Sequence, residues 1–387
     1  MDSLTSHFCC GCGLCSTVIS GGDNSQGFFR PISTESIGNG GTAFDEASCY
    51  VHQLQKSPRQ GLWGEIDAAY YGHSNDANIR RIASSGGILT ELVRYLLHKK
   101  LVDEVLTVEV PDEEGTTTRP TRLRRPDDAY RCVGSKYTAS KTLYGFLDAM
   151  ELGKRYAIVG RPCEVRTLRA YLSTNIPECE VVYLSFFCGG TPSKQANDKL
   201  LEVMGVGKGE LESLSYRGNG WPGKTRVRTK SGRHVEMDYE TSWGEILGRD
   251  LQPVCRYCWE GTGEAADIVC GDGWYLVDGK PSFEERPGRN IILARSHKGN
   301  KLLMDMEDEG LISLELIDDI SVLDRMQPGQ YSRKTSMFSR VLAAKLMRRP
   351  VPPYKIADLL PYAKLVSIKI NIRMFLGTIR RALSGRL

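Results

Sequence analysis

Tyr156-Ala157-Ile158-Val159-Gly160-Arg161-Pro162-Cys163-Glu164 sets the architecture. A short apolar run closes on a glycine, and an Arg-Pro step then opens a helical pattern through Leu168 and Leu172. Such a run bounded by Gly and Pro reads as a buried strand. The pattern recurs: residues 181–187 read as a strand, Cys188-Gly189-Gly190-Thr191-Pro192-Ser193 as a loop, and residues 194–204 as a polar helix. A strand–loop–helix rhythm means mixed α/β architecture.

Upstream, Leu89, Leu92, Val93, Leu96 and Leu97 recur at helical spacing, and residues 101–110 read as a strand. Downstream, residues 224–237 read as a hairpin turning at Ser231-Gly232, residues 266–269 as a strand, and residues 350–353 as a linker. No internal repeat is present. Residues 1–60 are rich in Cys, Gly and Ser with few apolar runs, so something other than a hydrophobic core is expected to hold them.

The 387 residues are 41% hydrophobic and 25% charged, which excludes a disordered, collagen-like or small disulfide-scaffold chain. Apolar runs fall well short of the ~20 residues of a membrane span, and no secretory signal pattern opens the sequence. The expectation is a cytoplasmic protein, with peripheral membrane attachment as a variant. Residues 331–387 hold thirteen Lys/Arg and one acid, Asp358, a charge of +12 that leaves −8 on the preceding residues of a chain of net +4. A basic tail on an acidic body suggests an anionic membrane surface as partner or, equally, a tail docked on that body. Nothing in the sequence points to nucleic acid.

Twelve cysteines in a reducing compartment indicate ligation rather than disulfides. Cys9-Cys10-Gly11-Cys12-Gly13-Leu14-Cys15 contains C-x-x-C-x-x-C, which lets Cys9, Cys12 and Cys15 wrap one cluster. A ferredoxin run would continue with Cys-Pro, where this chain has Ile19 and Ser20; Cys49 is the candidate fourth ligand. A zinc knob is the alternative. Cys255-Arg256-Tyr257-Cys258 is a second C-x-x-C. Cys163 and Cys188 each follow a strand, so their loops can converge on it and bring four thiolates together. Taken singly, each is equally an inert buried cysteine.

Ser84, Ser85, Gly86 and Gly87 open a helix, where free N–H groups and the positive dipole end suit a cofactor pyrophosphate. Ordinary serine capping is the alternative. Gly134-Ser135-Lys136-Tyr137-Thr138-Ala139-Ser140 adds a cation, hydroxyls and an aromatic ring. Gly205-Val206-Gly207-Lys208-Gly209 lacks Walker spacing and reads as a turn.

In order, Cys9 to Cys15, Ser84-Ser85-Gly86-Gly87, Gly134-Ser135-Lys136-Tyr137, Val159-Gly160-Arg161-Pro162-Cys163-Glu164, Cys188-Gly189-Gly190-Thr191-Pro192-Ser193, and Cys255-x-x-Cys258 with Cys270-Gly271-Asp272-Gly273-Trp274 resemble one family. It is the β subunit of coenzyme F420-reducing hydrogenase and its relatives, including 7-hydroxymethyl chlorophyll a reductase. The resemblance implies FAD and [4Fe–4S] clusters that pass electrons between a ferredoxin-like donor and a small-molecule substrate. It groups Cys163, Cys188, Cys255 and Cys258 as one cluster site and the N-terminal cysteines as another. FAD would lie on Ser84, Ser85, Gly86, Gly87, Ser135, Lys136, Tyr137 and Ser140, with Lys136 as the catalytic charge near the flavin ring.

The expected fold is α+β: an N-terminal ferredoxin-like iron–sulfur segment (1–60), a mixed α/β flavin-binding body in two parts (61–142 and 143–330), and a basic helical tail (331–387). A non-catalytic electron-transfer subunit and a zinc-stabilised binding module are the alternative functions.

Overall fold

A computed structural model describes residues 7–17, 21–31, 49–53, 61–111, 115–207 and 209–384. Its centre is one eight-stranded sheet: β1 (Ala68–Ser74), β2 (Glu104–Glu109), β3 (Arg119–Leu123), β4 (Tyr156–Gly160), β5 (Val181–Phe186), β6 (Ile268–Asp272), β7 (Asn290–Ala294) and β8 (Ile312–Leu316). The spatial order is β8-β1-β7-β6-β5-β4-β2-β3. The pairs β2–β4, β4–β5 and β5–β6 are parallel, and the flanking pairs are antiparallel. Parallel strands need cover on both faces, which is why the inner strands are apolar runs rather than alternating ones.

That cover is α1 (Ile88–His98), α2 (Pro162–Asn175), α3 (Lys194–Val203), α4 (His297–Asp308) and the tail helices α5 (Pro328–Thr335), α6 (Met337–Leu346), α7 (Ile356–Ala363) and α8 (Ile368–Leu383). Side chains alternate along each strand, so neighbouring positions serve different cores. Ala157 joins Leu92 and Leu96 of α1 and Leu303 of α4, whereas Ile158 joins Val165 and Leu168 of α2 with Val341 of α6. A smaller three-stranded sheet (Leu211–Ser215, Thr225–Thr229, His234–Met237) packs Tyr216 and Val227 against Leu200 of α3. It contains the expected hairpin.

Two expectations change. Residues 61–142 and 143–330 share one sheet, because β1 is inserted between β7 and β8 and β2 pairs with β4. The described part of the N-terminal segment is also held by the main core: Phe8, Leu14 and Phe29 are buried in it. The few apolar residues of the segment suffice because the body supplies the rest of their contacts. That part forms a short 3-10 turn (Leu14–Thr17) and a two-stranded ribbon (Gly21–Asp23 with Phe29–Pro31). The Ile19-Ser20 departure lies outside the described residues.

The tail docks through its first turns. Buried Lys334 donates to Leu62 O at 2.7 Å, Thr262 Oγ1 at 2.9 Å and Glu264 Oε1 at 2.8 Å. Removing one partner of a buried pair strands the other charge, at a cost of about 3–5 kcal/mol. Lys334→Ala should therefore lower the urea midpoint followed by tryptophan fluorescence. An unchanged midpoint would show that the tail is only loosely attached.

Candidate functional site

The parallel strands β4, β5 and β6 all end at the same edge of the sheet, the place where open α/β sheets receive ligands. Their following loops carry Arg161 to Cys163, Cys188 to Thr191, and Asp272 to Trp274. β1 and β7 bring the start of α1 to this edge: Ser74 N donates to Gly86 O at 2.8 Å, and Ile88 N to Asn290 Oδ1 at 3.3 Å.

A cleft of about 840 Å³ opens there. Ser84, Ser85, Gly87, Ser135, Lys136, Tyr137 and Ser140 all line it, so two stretches fifty residues apart in the sequence meet as expected. Ser135 N donates to Ser84 Oγ at 2.6 Å and ties the two stretches together. Ser85 Oγ donates to Arg289 O at 2.8 Å. Tyr137 stacks at 4.6 Å on Trp243, which also lines the cleft.

Gly86 serves differently from the expectation. A Cβ there would stand 2.6 Å from Gly72 O and 2.7 Å from Asn290 N, so the missing side chain permits close packing of backbone on the sheet. Lys136 also differs. Its ammonium donates to Cys132 O, Val133 O and Gly134 O at 2.7, 3.1 and 3.0 Å, which uses all three protons on its own loop. Burial pulls its pKa down to about 8. The side chain shapes the cleft wall and has no proton left to offer a ligand.

Beside the cleft is a small cavity lined by Cys163, Cys188, Cys255 and Cys258, together with Tyr50, Thr191 and Arg333. Cys163 sits in the first turn of α2, Cys188 follows β5, and Cys255 and Cys258 bracket the end of a 3-10 turn (Pro253–Tyr257). Thr191 N donates to Cys255 Sγ at 3.4 Å, and Tyr50 Oη lies 2.9 Å from Cys258 Sγ. Burial pushes Cys258 up to about 12, against the opposing charge of Arg333. Thiols so placed ionise only when a bonded cation takes the proton's place. Cys188, Gly190, Thr191 and Arg333 line both the cavity and the cleft.

The N-terminal cysteines lie against this site. Cys10, absent from the expected ligands, hydrogen-bonds both Cys12 and Cys163. Cys9 accepts from Gly11 N at 3.3 Å, and burial pushes Cys15 up to about 12, helped by the nearby Cys9. Cys49 is buried and directly precedes the helical turn Tyr50–Gln53, so its chain neighbour reaches the four-cysteine cavity. The cysteine charges acting on Cys12 come from Cys9, Cys10 and Cys15.

Further residues of the site lie inside the quoted motifs without having been singled out. Arg161 donates to Thr191 Oγ1, Ser140 O and Glu164 Oε1, and Arg217 grips Asp272 through two bonds of 2.9 Å. For Arg161, Thr191 and Asp272, position within a motif was the available signal. Tyr50 and Arg333 carried none, because only the fold brings them to the cysteines.

Two family profiles for the beta subunit of coenzyme F420 hydrogenase/dehydrogenase match the chain, the N-terminal one over residues 69–145 and the C-terminal one over residues 153–320. This chain belongs to that family. The matched regions hold the whole central sheet, the cleft and the four-cysteine cavity, and leave out Cys9 to Cys49 and helices α5 to α8. The F420-dependent formate dehydrogenase subunit beta of Methanocaldococcus jannaschii is 28% identical over 250 residues, 62% of this chain and 60% of that protein. The coenzyme F420 hydrogenase subunit beta of Methanococcus voltae is 24% identical over 313 residues, 75% of this chain and 99% of that protein. A chain of the F420-reducing [NiFe] hydrogenase complex from Methanosarcina barkeri superposes with a TM-score of 0.53 at 18% identity, covering 73% of this chain and 96% of its own, a likeness of fold.

Gly86→Ala should reduce both stability and ligand retention, because its Cβ meets backbone that cannot move aside. A melting temperature equal to wild type, with lost ligand, would place Gly86 in direct contact with the ligand instead.

Proposed function

We propose that the chain is an iron–sulfur flavoprotein oxidoreductase that exchanges electrons between a ferredoxin-like protein and a small organic substrate. The observation that carries this reading is the shared wall: cysteines from three separate loops line a cavity that borders the large cleft. When bound, an iron–sulfur cluster moves single electrons and a flavin gathers them in pairs. Cys163, Cys188, Cys255 and Cys258 would hold one [4Fe–4S] cluster. FAD would occupy the cleft over Ser84, Ser85, Gly87, Ser135, Tyr137 and Ser140. Cys9, Cys12 and Cys15, with Cys49 as the fourth ligand, remain the candidates for a second cluster.

The donor chemistry fits. Four cysteines with backbone N–H and hydroxyl groups aimed at their sulfurs suit a thiolate-bound centre. A single zinc ion suits the site less well, since no three His, Cys, Asp or Glu side chains among the described residues gather closely enough for one ion. The relatives are named as subunits, which favours a second reading: an electron-transfer subunit that turns over only within a complex. Reduction of an added acceptor by the isolated chain would separate the two.

Cys255→Ser and Cys258→Ser should each remove about four iron and four sulfide per chain while flavin absorbance persists. Unchanged iron in both variants would sink the four-cysteine assignment.

No helix among the described residues is long and apolar enough to cross a membrane. Peripheral attachment through α8 belongs to the proposal. Ile368 (78% exposed), Ile372 (52%) and Leu376 (58%) form a stripe at helical spacing, with Lys369 and Arg373 beside it. That arrangement suits an anionic bilayer surface. The Ile372→Glu/Leu376→Glu double variant should lose co-sedimentation with phosphatidylserine vesicles, and wild-type binding should weaken with salt. Equal binding by both proteins would remove the membrane from the account.

A further inference from the structure

The four-cysteine cavity has two polar walls from segments outside the matched family regions. Tyr50 comes from the helical turn Tyr50–Gln53, and Arg333 from tail helix α5. Tyr50 is 2% exposed, and its hydroxyl lies 2.9 Å from Cys258 Sγ. Facing a thiolate, that hydroxyl is the donor. Arg333 Nη1 donates to Cys188 O at 3.3 Å, and Nη2 donates to Gly189 O. Among the described residues Arg333 has no carboxylate partner, so its full charge bears on the cavity beside it. The other cleft cations are matched: Arg161 pairs with Glu164 at 2.8 Å, and Arg217 with Asp272 at 2.9 Å.

We infer that Tyr50 and Arg333 set the reduction potential of the centre held by Cys163, Cys188, Cys255 and Cys258. The inference rests on the reading that these cysteines hold an iron–sulfur cluster. Adding one electron makes a thiolate-held centre more negative. A hydrogen bond to sulfur and a neighbouring unpaired cation both stabilise the reduced form more than the oxidised one, so both raise the potential. Helix α5 places this cation where the cavity and the cleft share a wall, the position at which it also favours negative charge on a ligand in the cleft. Neither residue touches a reacting atom; both are positioning residues that act through the sulfurs and the field.

The test is a potentiometric titration of full-length, iron-loaded protein, followed by the paramagnetic signal that Cys255→Ser abolishes. Tyr50→Phe removes only the hydroxyl, and Arg333→Met removes the charge at similar length. Each should lower the midpoint by about tenfold in the reduction equilibrium, 59 mV for one electron, with iron content unchanged. Arg333→Lys should restore most of the Arg333→Met shift. If Cys255→Ser keeps its iron and its signal, the cluster reading fails before the tuning is reached. If Cys255→Ser loses iron while Tyr50→Phe and Arg333→Met keep the wild-type midpoint, the cluster reading stands and the inference is overturned. Should Tyr50→Phe purify without iron, the Arg333 pair of variants decides alone.

Discussion

The buried pair of Arg161 and Glu164 is the interaction on which the site depends. Its guanidinium reaches Cys10 O at 3.3 Å, Ser140 O at 3.0 Å and Thr191 Oγ1 at 2.7 Å, while Glu164 accepts from it at 2.8 Å. Glu164 also accepts from Arg161 N at 2.8 Å and Thr142 N at 3.3 Å. Four segments distant in sequence thus meet at one ion pair: the cysteine-rich start, the 134–142 stretch, the loop after β5 and the first turn of α2. Burial alone would lower the pKa of Arg161, but the facing carboxylate raises it well above the ordinary value, so the charge persists. A buried charge held this way fixes geometry more than it adds stability. Here the geometry fixed is the shared wall of cavity and cleft.

Much of this was legible in residue order. The runs at 156–160 and 181–187, the helical spacing after Ser84, and the hairpin turning at Ser231-Gly232 all became elements within a residue or two of the expected limits. Continuous apolar strands between Gly- and Pro-bearing loops carry their own label, because burial on both faces leaves no alternation to misread. The convergence of Cys163, Cys188, Cys255 and Cys258 followed from the same logic, since strand ends on one sheet edge bring their loops together.

What could not be read follows from long-range packing. By residue order Gly86 opens a ligand site, and only the backbone of Gly72 and Asn290 shows that it faces the sheet. Lys136 reads as a free cation because sequence does not reveal three carbonyl oxygens around one ammonium. The tail reads as an appendage with every site motif ahead of it. Gln330 Nε2 nevertheless donates to Cys188 O at 2.9 Å and Arg333 to the same oxygen, so the tail closes the cysteine cavity. Helix α8 retains the exposed stripe, and the two halves of the tail therefore do separate things.

The position of β1 bears on how the chain is made. Its two neighbours, β7 and β8, are synthesised more than two hundred residues after it. At ribosomal rates that interval is roughly 10–50 s, during which both edges of β1 have no native partner. Pairings of this sequence separation are slow to close and leave strand edges open to other chains. The sheet must therefore complete itself near the end of translation, and cofactor loading at its edge follows that event. The half of the chain ending near residue 145 is for the same reason unsuited to life as a separate polypeptide.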